Sequence, residues 1–206
     1  MKIKAIIFDM DGVLIDAKEW HYEALNRALG YFGLTISRYD HLVTFDGLPT
    51  RKKLEMLSIE TGLPKNLHSF INDLKQQFTM DIVHARCKPI FQHEFALSRL
   101  KSQGYHLAVA SNSVRSTVEV MMEKSKLEQY LDLMLSNEDV KHAKPHPEIY
   151  EKAIASFGLK PEECVVVEDN EKGIAAARAA KANVMVVDTV YAVTHDNIER
   201  FIEGLA

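Results

Sequence analysis

Five short apolar runs punctuate the chain: KAIIF at 4–8, HLAVA at 106–110, DLML at 132–135, CVVVE at 164–168 and VMVVD at 184–188. Their apolarity is continuous rather than alternating, which suits strands covered on both faces. Between them lie stretches with helical periodicity and readable ends. One runs from Pro89 to Gln103 and closes at Gly104, a second from Val114 to Lys124, and a third from Pro147 to Phe157, closing at Gly158. Proline near a helix start and glycine past its end are the expected punctuation. Strand, helix, strand in repetition predicts an α/β fold: a doubly wound parallel sheet with helices on both sides.

One interval breaks this rhythm. From about residue 17 to 85 the pattern is helical throughout. Trp20, Ala24, Leu25, Ala28, Leu29 and Phe32 form one stripe, Leu54, Leu57 and Ile59 a second, and Leu67, Phe70, Ile71, Leu74 and Phe78 a third. Some seventy residues exceed what a crossover between parallel strands requires, so the segment is expected to be an inserted helical cap. The predicted organisation is an α/β core from residues 1–16 and 86–206, with a cap at 17–85.

Composition narrows the function classes. The 206 residues are 47% hydrophobic and 26% charged, enough apolar surface for a sizeable core. A net charge of -4 gives no basic field for a nucleic acid partner. The apolar run in MKIKAIIF meets Asp9 and Asp11 at once, too short for a signal peptide or a membrane span, so no membrane partner and a cytoplasmic location are expected. Cys87 and Cys164 supply neither a disulfide framework nor a thiolate cluster, and both are expected to be reduced. The spacing of His84, Cys87 and His93 matches no zinc pattern.

In an open parallel sheet, ligands bind beyond the carboxyl ends of the strands, so the residues following each run carry the chemistry. Asp9-Met10-Asp11-Gly12 follows the first, Ser111-Asn112-Ser113 the second, and a loop with Lys144-Pro145 the third; the fourth ends in Glu168 and Asp169. Asp9 and Asp11, two apart, leave extended backbone on the same side. Carboxylates so gathered repel one another, and a hard cation relieves that repulsion. Four acids, a hydroxyl and a lysine on one rim suit Mg²⁺ and a phosphate.

With these motifs in order, the chain resembles the haloacid dehalogenase superfamily, and within it the phosphatases related to beta-phosphoglucomutase. The likeness rests on DMDG at 9–12, the serine of ASNS at 111, the lysine of KPHPEIY at 144 and the acidic pair opening EDNEKGIAAARAA at 168–169. It implies that Asp9 attacks phosphorus to form an aspartyl phosphate and that Asp11 acts as acid and then base. Ser111 and Lys144 would complete the catalytic set, with Gly12 and Asn112 helping to seat the phosphate. Mg²⁺ would be held by Asp9, Asp169, the Asp11 backbone carbonyl and Glu168, directly or through water. Asp11, which a dehalogenase lacks, favours phosphoryl transfer over carbon–halogen chemistry.

The same resemblance implies a cap whose residues choose the substrate, with His21, Thr50 and Arg51 as candidates. The mutase places arginine three residues past a glycine; here Gly47 is followed at that distance by Thr50, and Arg51 stands one residue later, a rotation of about 100° on a helix. Ala17 stands where the mutase has a hinge threonine. The expected activity is therefore Mg²⁺-dependent hydrolysis of a small phosphorylated metabolite, a sugar phosphate among the candidates, by a monomer. Sugar phosphate mutase activity is the alternative. A third reading, a receiver-like phosphoacceptor module without turnover, fits less well because the acceptor follows the first strand and a cap would serve no purpose there.

Overall fold

The computed structural model describes residues 2–45 and 47–205. Its five strands, β1 (Ala5–Phe8), β2 (His106–Ala110), β3 (Leu133–Leu135), β4 (Cys164–Glu168) and β5 (Asn183–Val186), form one sheet in the order β3-β2-β1-β4-β5. Every pairing is parallel. The helices are α1 (Lys18–Gly30), the single turn α2 (Arg38–Asp40), α3 (Thr50–Thr61), α4 (His68–Arg86), α5 (Phe91–Ser102), α6 (Arg115–Lys124), α7 (Glu148–Ser156), α8 (Glu171–Ala179) and α9 (His195–Glu203). The protein is thus an α/β fold with a doubly wound parallel sheet. No helix among the described residues is long and apolar enough to cross a membrane.

By its contacts the chain divides into two compact units, Met1–Asp16 with Cys87–Ala206, and Ala17–Arg86. In the first, Ala5, Ile7, Ala108, Ala110 and Val166 share a core with Ile149, Tyr150 and Ala153 of α7 and Ala176 and Ala177 of α8. The alternate residues Ile6, Phe8, Leu107, Val109, Val165 and Val167 are equally buried and point to the opposite face. Burial on both sides explains the unbroken apolar runs. β2 and β4 span their runs as read, and β1 and β3 begin one residue inside theirs. β5 is offset, starting at Asn183 and stopping at Val186, although the Val187 N–H still donates to the Glu168 carbonyl at 2.9 Å. Cys87 and Cys164 are both buried and free, and burial pushes each thiol up to about 11.

The second unit is built on α1, α3 and α4, around Leu25, Ala28, Leu29, Ile36, Phe45, Leu54, Leu57, Leu63 and Ile71. Two residues expected on its inner stripes lie outside. Ile59 is 86% exposed, because it is two positions from buried Leu57 and so about 200° around the helix. Phe70 is 54% exposed and meets Phe32 edge-on, while the buried face of α4 runs through Ile71, Lys75, Thr79, Ile82 and Val83.

Candidate active site

The chain leaves β1 toward β2 and β3 on one side, and β4 and β5 lie on the other. The crevice between the carboxyl ends of β1 and β4 is therefore the topological switch point, where loops diverge and a ligand can enter. Asp9 follows β1 directly and keeps its register, its N–H donating to the Val167 carbonyl at 2.9 Å. The backbone then folds back sharply: the Gly12 N–H donates to Ile15 O at 2.7 Å, and Gly12 has φ 95°, a conformation open to glycine. This turn leaves Asp11 beside the β2 loop, where Ser113 Oγ donates to its Oδ2 at 3.0 Å.

Lys144 is the centre of the cluster. Its buried ammonium donates to Asp9 Oδ1 at 2.6 Å, Glu168 Oε1 at 2.8 Å and the Ala110 carbonyl at 2.9 Å, which takes up all three of its protons. The lysine arrives on a loop with a cis Lys144–Pro145 bond, and Asn112 brackets its backbone, accepting from Lys144 N at 3.1 Å and donating to Lys144 O at 3.4 Å. Asn112, expected at the phosphate, also seats the lysine with its side-chain amide. Ser111 is buried just past β2 and accepts from Ser113 N at 3.0 Å.

Glu168 is 1% exposed and held by four donors. Oε1 accepts from Lys144 and from the Tyr150 hydroxyl at 2.5 Å, and Oε2 from the N–H groups of Asp169 (3.1 Å) and Asn170 (3.3 Å). Burial and the negative Glu168 push the Asp9 carboxyl well above its usual range, with Lys144 pulling the other way. For Lys144, burial favours the neutral amine, but Asp9 and Glu168 outweigh it and hold the ammonium above the ordinary lysine value. Asp9, Glu168 and Asp169 each present an oxygen within 4.8 Å of the others, the one group of three such ligands found among the described residues. All are hard oxygen donors, and one ammonium faces several carboxylates; this donor set fits a divalent cation of the Mg²⁺ type.

The sequence profile of the haloacid dehalogenase-like hydrolases matches residues 6–187. The chain belongs to that family. Among its relatives, a phosphorylated carbohydrates phosphatase from Thermotoga maritima is 30% identical over 201 residues, covering 94% of this chain and 86% of the relative. The pyrophosphatase PpaX of Bacillus mycoides is 28% identical, with 91% and 84% covered. In three dimensions, beta-phosphoglucomutase from Clostridium difficile shares the fold with a TM-score of 0.84 over 98% of both chains at 20% identity. The family's phosphatase branch is therefore where this chain sits.

The remaining expected residues lie in the helical unit. His21 is on α1, and its Nδ1 accepts from the Lys75 ammonium at 3.2 Å. Thr50 opens α3. Arg51 points outward, its side chain 86% exposed and paired with Glu55 at 3.3 Å. Sequence reasoning passed over Ser113, Tyr150 and Lys75. Ser113 stood within the quoted ASNS motif and Tyr150 ended KPHPEIY, so position signalled both; Lys75 had no such signal, since a charged residue on a helix ordinarily faces water.

Proposed function

We propose that this protein is a Mg²⁺-dependent phosphatase acting on a small phosphomonoester through an aspartyl-phosphate intermediate. The observation that carries the reading is the Asp9–Lys144–Glu168 network at the β1/β4 switch point, with Asp169 close enough to share an ion. Asp9, Glu168, Asp169 and the Asp11 backbone carbonyl would hold the metal. Bound there, Mg²⁺ supplies positive charge that ionises Asp9 and offsets its repulsion with the substrate phosphate.

In this reading an Asp9 oxygen attacks phosphorus, and the bond from phosphorus to the ester oxygen breaks. Asp11, steadied by Ser113, gives its proton to the departing oxygen. Water then attacks the phosphorus of the aspartyl phosphate, Asp11 takes the water proton, and Asp9 is regenerated as phosphate leaves. Ser111 stabilises charge on the phosphoryl oxygens as it develops, Lys144 adds its positive charge beside them from its seat between Asp9 and Glu168, and Gly12 and Asn112 help to seat the phosphate. Recognition of the organic part of the substrate is assigned to the helical unit, His21, Thr50 and Arg51 included. The relatives named as a phosphorylated carbohydrates phosphatase and a pyrophosphatase support small phosphorylated compounds as the substrate class.

The test is a phosphate-release assay on para-nitrophenyl phosphate and a panel of sugar phosphates, with Mg²⁺ or a chelator, beside Asp9→Asn. Metal-dependent release that disappears in the variant is expected. Undiminished turnover by the variant would overturn the mechanism, and interconversion of glucose 1- and 6-phosphates without phosphate release, read by phosphorus NMR, would establish the mutase instead.

A further inference from the structure

The loop that carries Lys144 also brings two imidazoles together at the surface. The His146 N–H donates to the Ala143 carbonyl at 3.1 Å, closing a turn that reverses the chain between His142 and His146. Both side chains are exposed, and their ring centroids lie 4.8 Å apart with the planes 46° from each other. Glu148, in the first turn of α7, ties down this corner: its carboxylate accepts from Lys141 N at 2.9 Å and from His142 N at 3.0 Å. Those N–H groups hold the Glu148 carboxyl below its usual range, so the corner keeps a negative charge. The same carboxylate stands 3.9 Å from His146 Nδ1, which accepts from the Glu148 N–H at 3.3 Å. Among the described residues, His146 Nε2 and both nitrogens of His142 have no hydrogen-bond partner.

We propose that His142 and His146 form a further metal site, chelating one borderline transition ion such as Zn²⁺, Ni²⁺ or Cu²⁺. Imidazole nitrogen suits these ions, whereas the all-oxygen cluster of Asp9, Glu168 and Asp169 suits Mg²⁺. With Zn–N bonds of about 2.0–2.1 Å and a tetrahedral angle between them, two ligating imidazoles have centroids about 5 Å apart. The observed 4.8 Å needs only a small tilt of the rings to meet this. Glu148 stands behind His146 as the carboxylate partner by which a metal-bound imidazole is oriented. With Nδ1 turned to Glu148, Nε2 is the His146 nitrogen left for the ion, and water fills the positions that the protein does not. The ion would fasten both ends of the turn that presents Lys144. The site shares no residue with the acidic cluster and does not depend on the phosphatase reading.

Calorimetric titration of Zn²⁺ into tag-free protein, in excess Mg²⁺ so that the acidic cluster is occupied, should show one ion bound per chain. His142→Ala and His146→Ala should each weaken that binding at least about tenfold and leave Mg²⁺ affinity unchanged. Zn²⁺ affinity that survives in both variants overturns the proposal, as does equal weakening of Zn²⁺ and Mg²⁺, the mark of a general disturbance of the loop. Wild type that takes up no Zn²⁺ overturns it too. Imidazole ¹⁵N signals of wild type provide a second measurement that needs no variant. On Zn²⁺ addition the His142 and His146 signals should shift with the calorimetric Kd, with Nε2 as the ligated nitrogen of His146; shifts confined to other histidines refute the assignment.

Discussion

Replacing Gly173 by alanine sets two effects of opposite sign against each other. Alanine in a helix gains up to about 1 kcal/mol over glycine. At this position, however, the added methyl would stand 1.7 Å from Glu168 Oε1, 2.0 Å from Cδ and 2.4 Å from Oε2. A glutamate tip would ordinarily swing aside at small cost, but this one is tied to Lys144, Tyr150 and two backbone N–H groups at 2.5–3.3 Å. Moving it far enough breaks at least two bonds to a charged acceptor, each worth about 1.5–3 kcal/mol. The loss outweighs the helix gain, leaving a net destabilisation of roughly 2–5 kcal/mol in a protein whose total stability is of order 5–15 kcal/mol. Urea unfolding followed by far-ultraviolet circular dichroism, in chelator, should show the midpoint of Gly173→Ala lowered by about 1 M or more. A midpoint at or above the wild-type value would refute the claim that Glu168 is immobilised.

Lys144→Met should destabilise the metal-free protein by about 3–5 kcal/mol, because Asp9 and Glu168 are left buried without their cation; Mg²⁺ should recover more stability in the variant than in wild type, and equal recovery would contradict the charge argument. Ser113→Ala should lower kcat about 3–10-fold through loss of its bond to Asp11 with little change in thermal stability, checked by steady-state kinetics and a melting curve. His93 is buried on α5, with Nε2 donating to the Val190 carbonyl at 2.7 Å, and burial lowers its pKa below the ordinary 6.5. The unfolded chain thus binds the extra proton first: the stability tied to neutral His93 is complete above about pH 6.5 and is lost as pH falls toward the folded-state value, by at most about 1.4 kcal/mol per pH unit. Urea midpoints for His93→Gln should fall less steeply than wild type between pH 7 and 5; parallel curves would count against this role.

Legibility varied with how far each inference depended on distance along the chain. CVVVE was read as a strand over the very residues that form β4, since a run buried on both faces carries its signature locally. The helix ends near Gly104 and Gly158 were readable for the same reason. Ile59 and Phe70 were misassigned because an apolar side chain on a short amphipathic helix does not reveal which neighbour, if any, covers it. Lys75 shows the converse: a lysine that reads as solvated is buried and bonded to His21, fifty-four positions away.

By itself the sequence determined which groups stand at the strand ends, because a strand's exit point and the residue that follows it are set by local pattern. It also carried the ordered motifs that place the chain among the haloacid dehalogenase-like hydrolases. Tertiary structure alone decided what those groups do to one another: that Lys144 sits between Asp9 and Glu168, that Asn112 seats the lysine, and that Tyr150 and Gly173 clamp the glutamate. Charge and hydrogen-bond energies depend on separations of a few ångströms and on exclusion of water, quantities that arise when segments more than a hundred residues apart are packed against the same sheet.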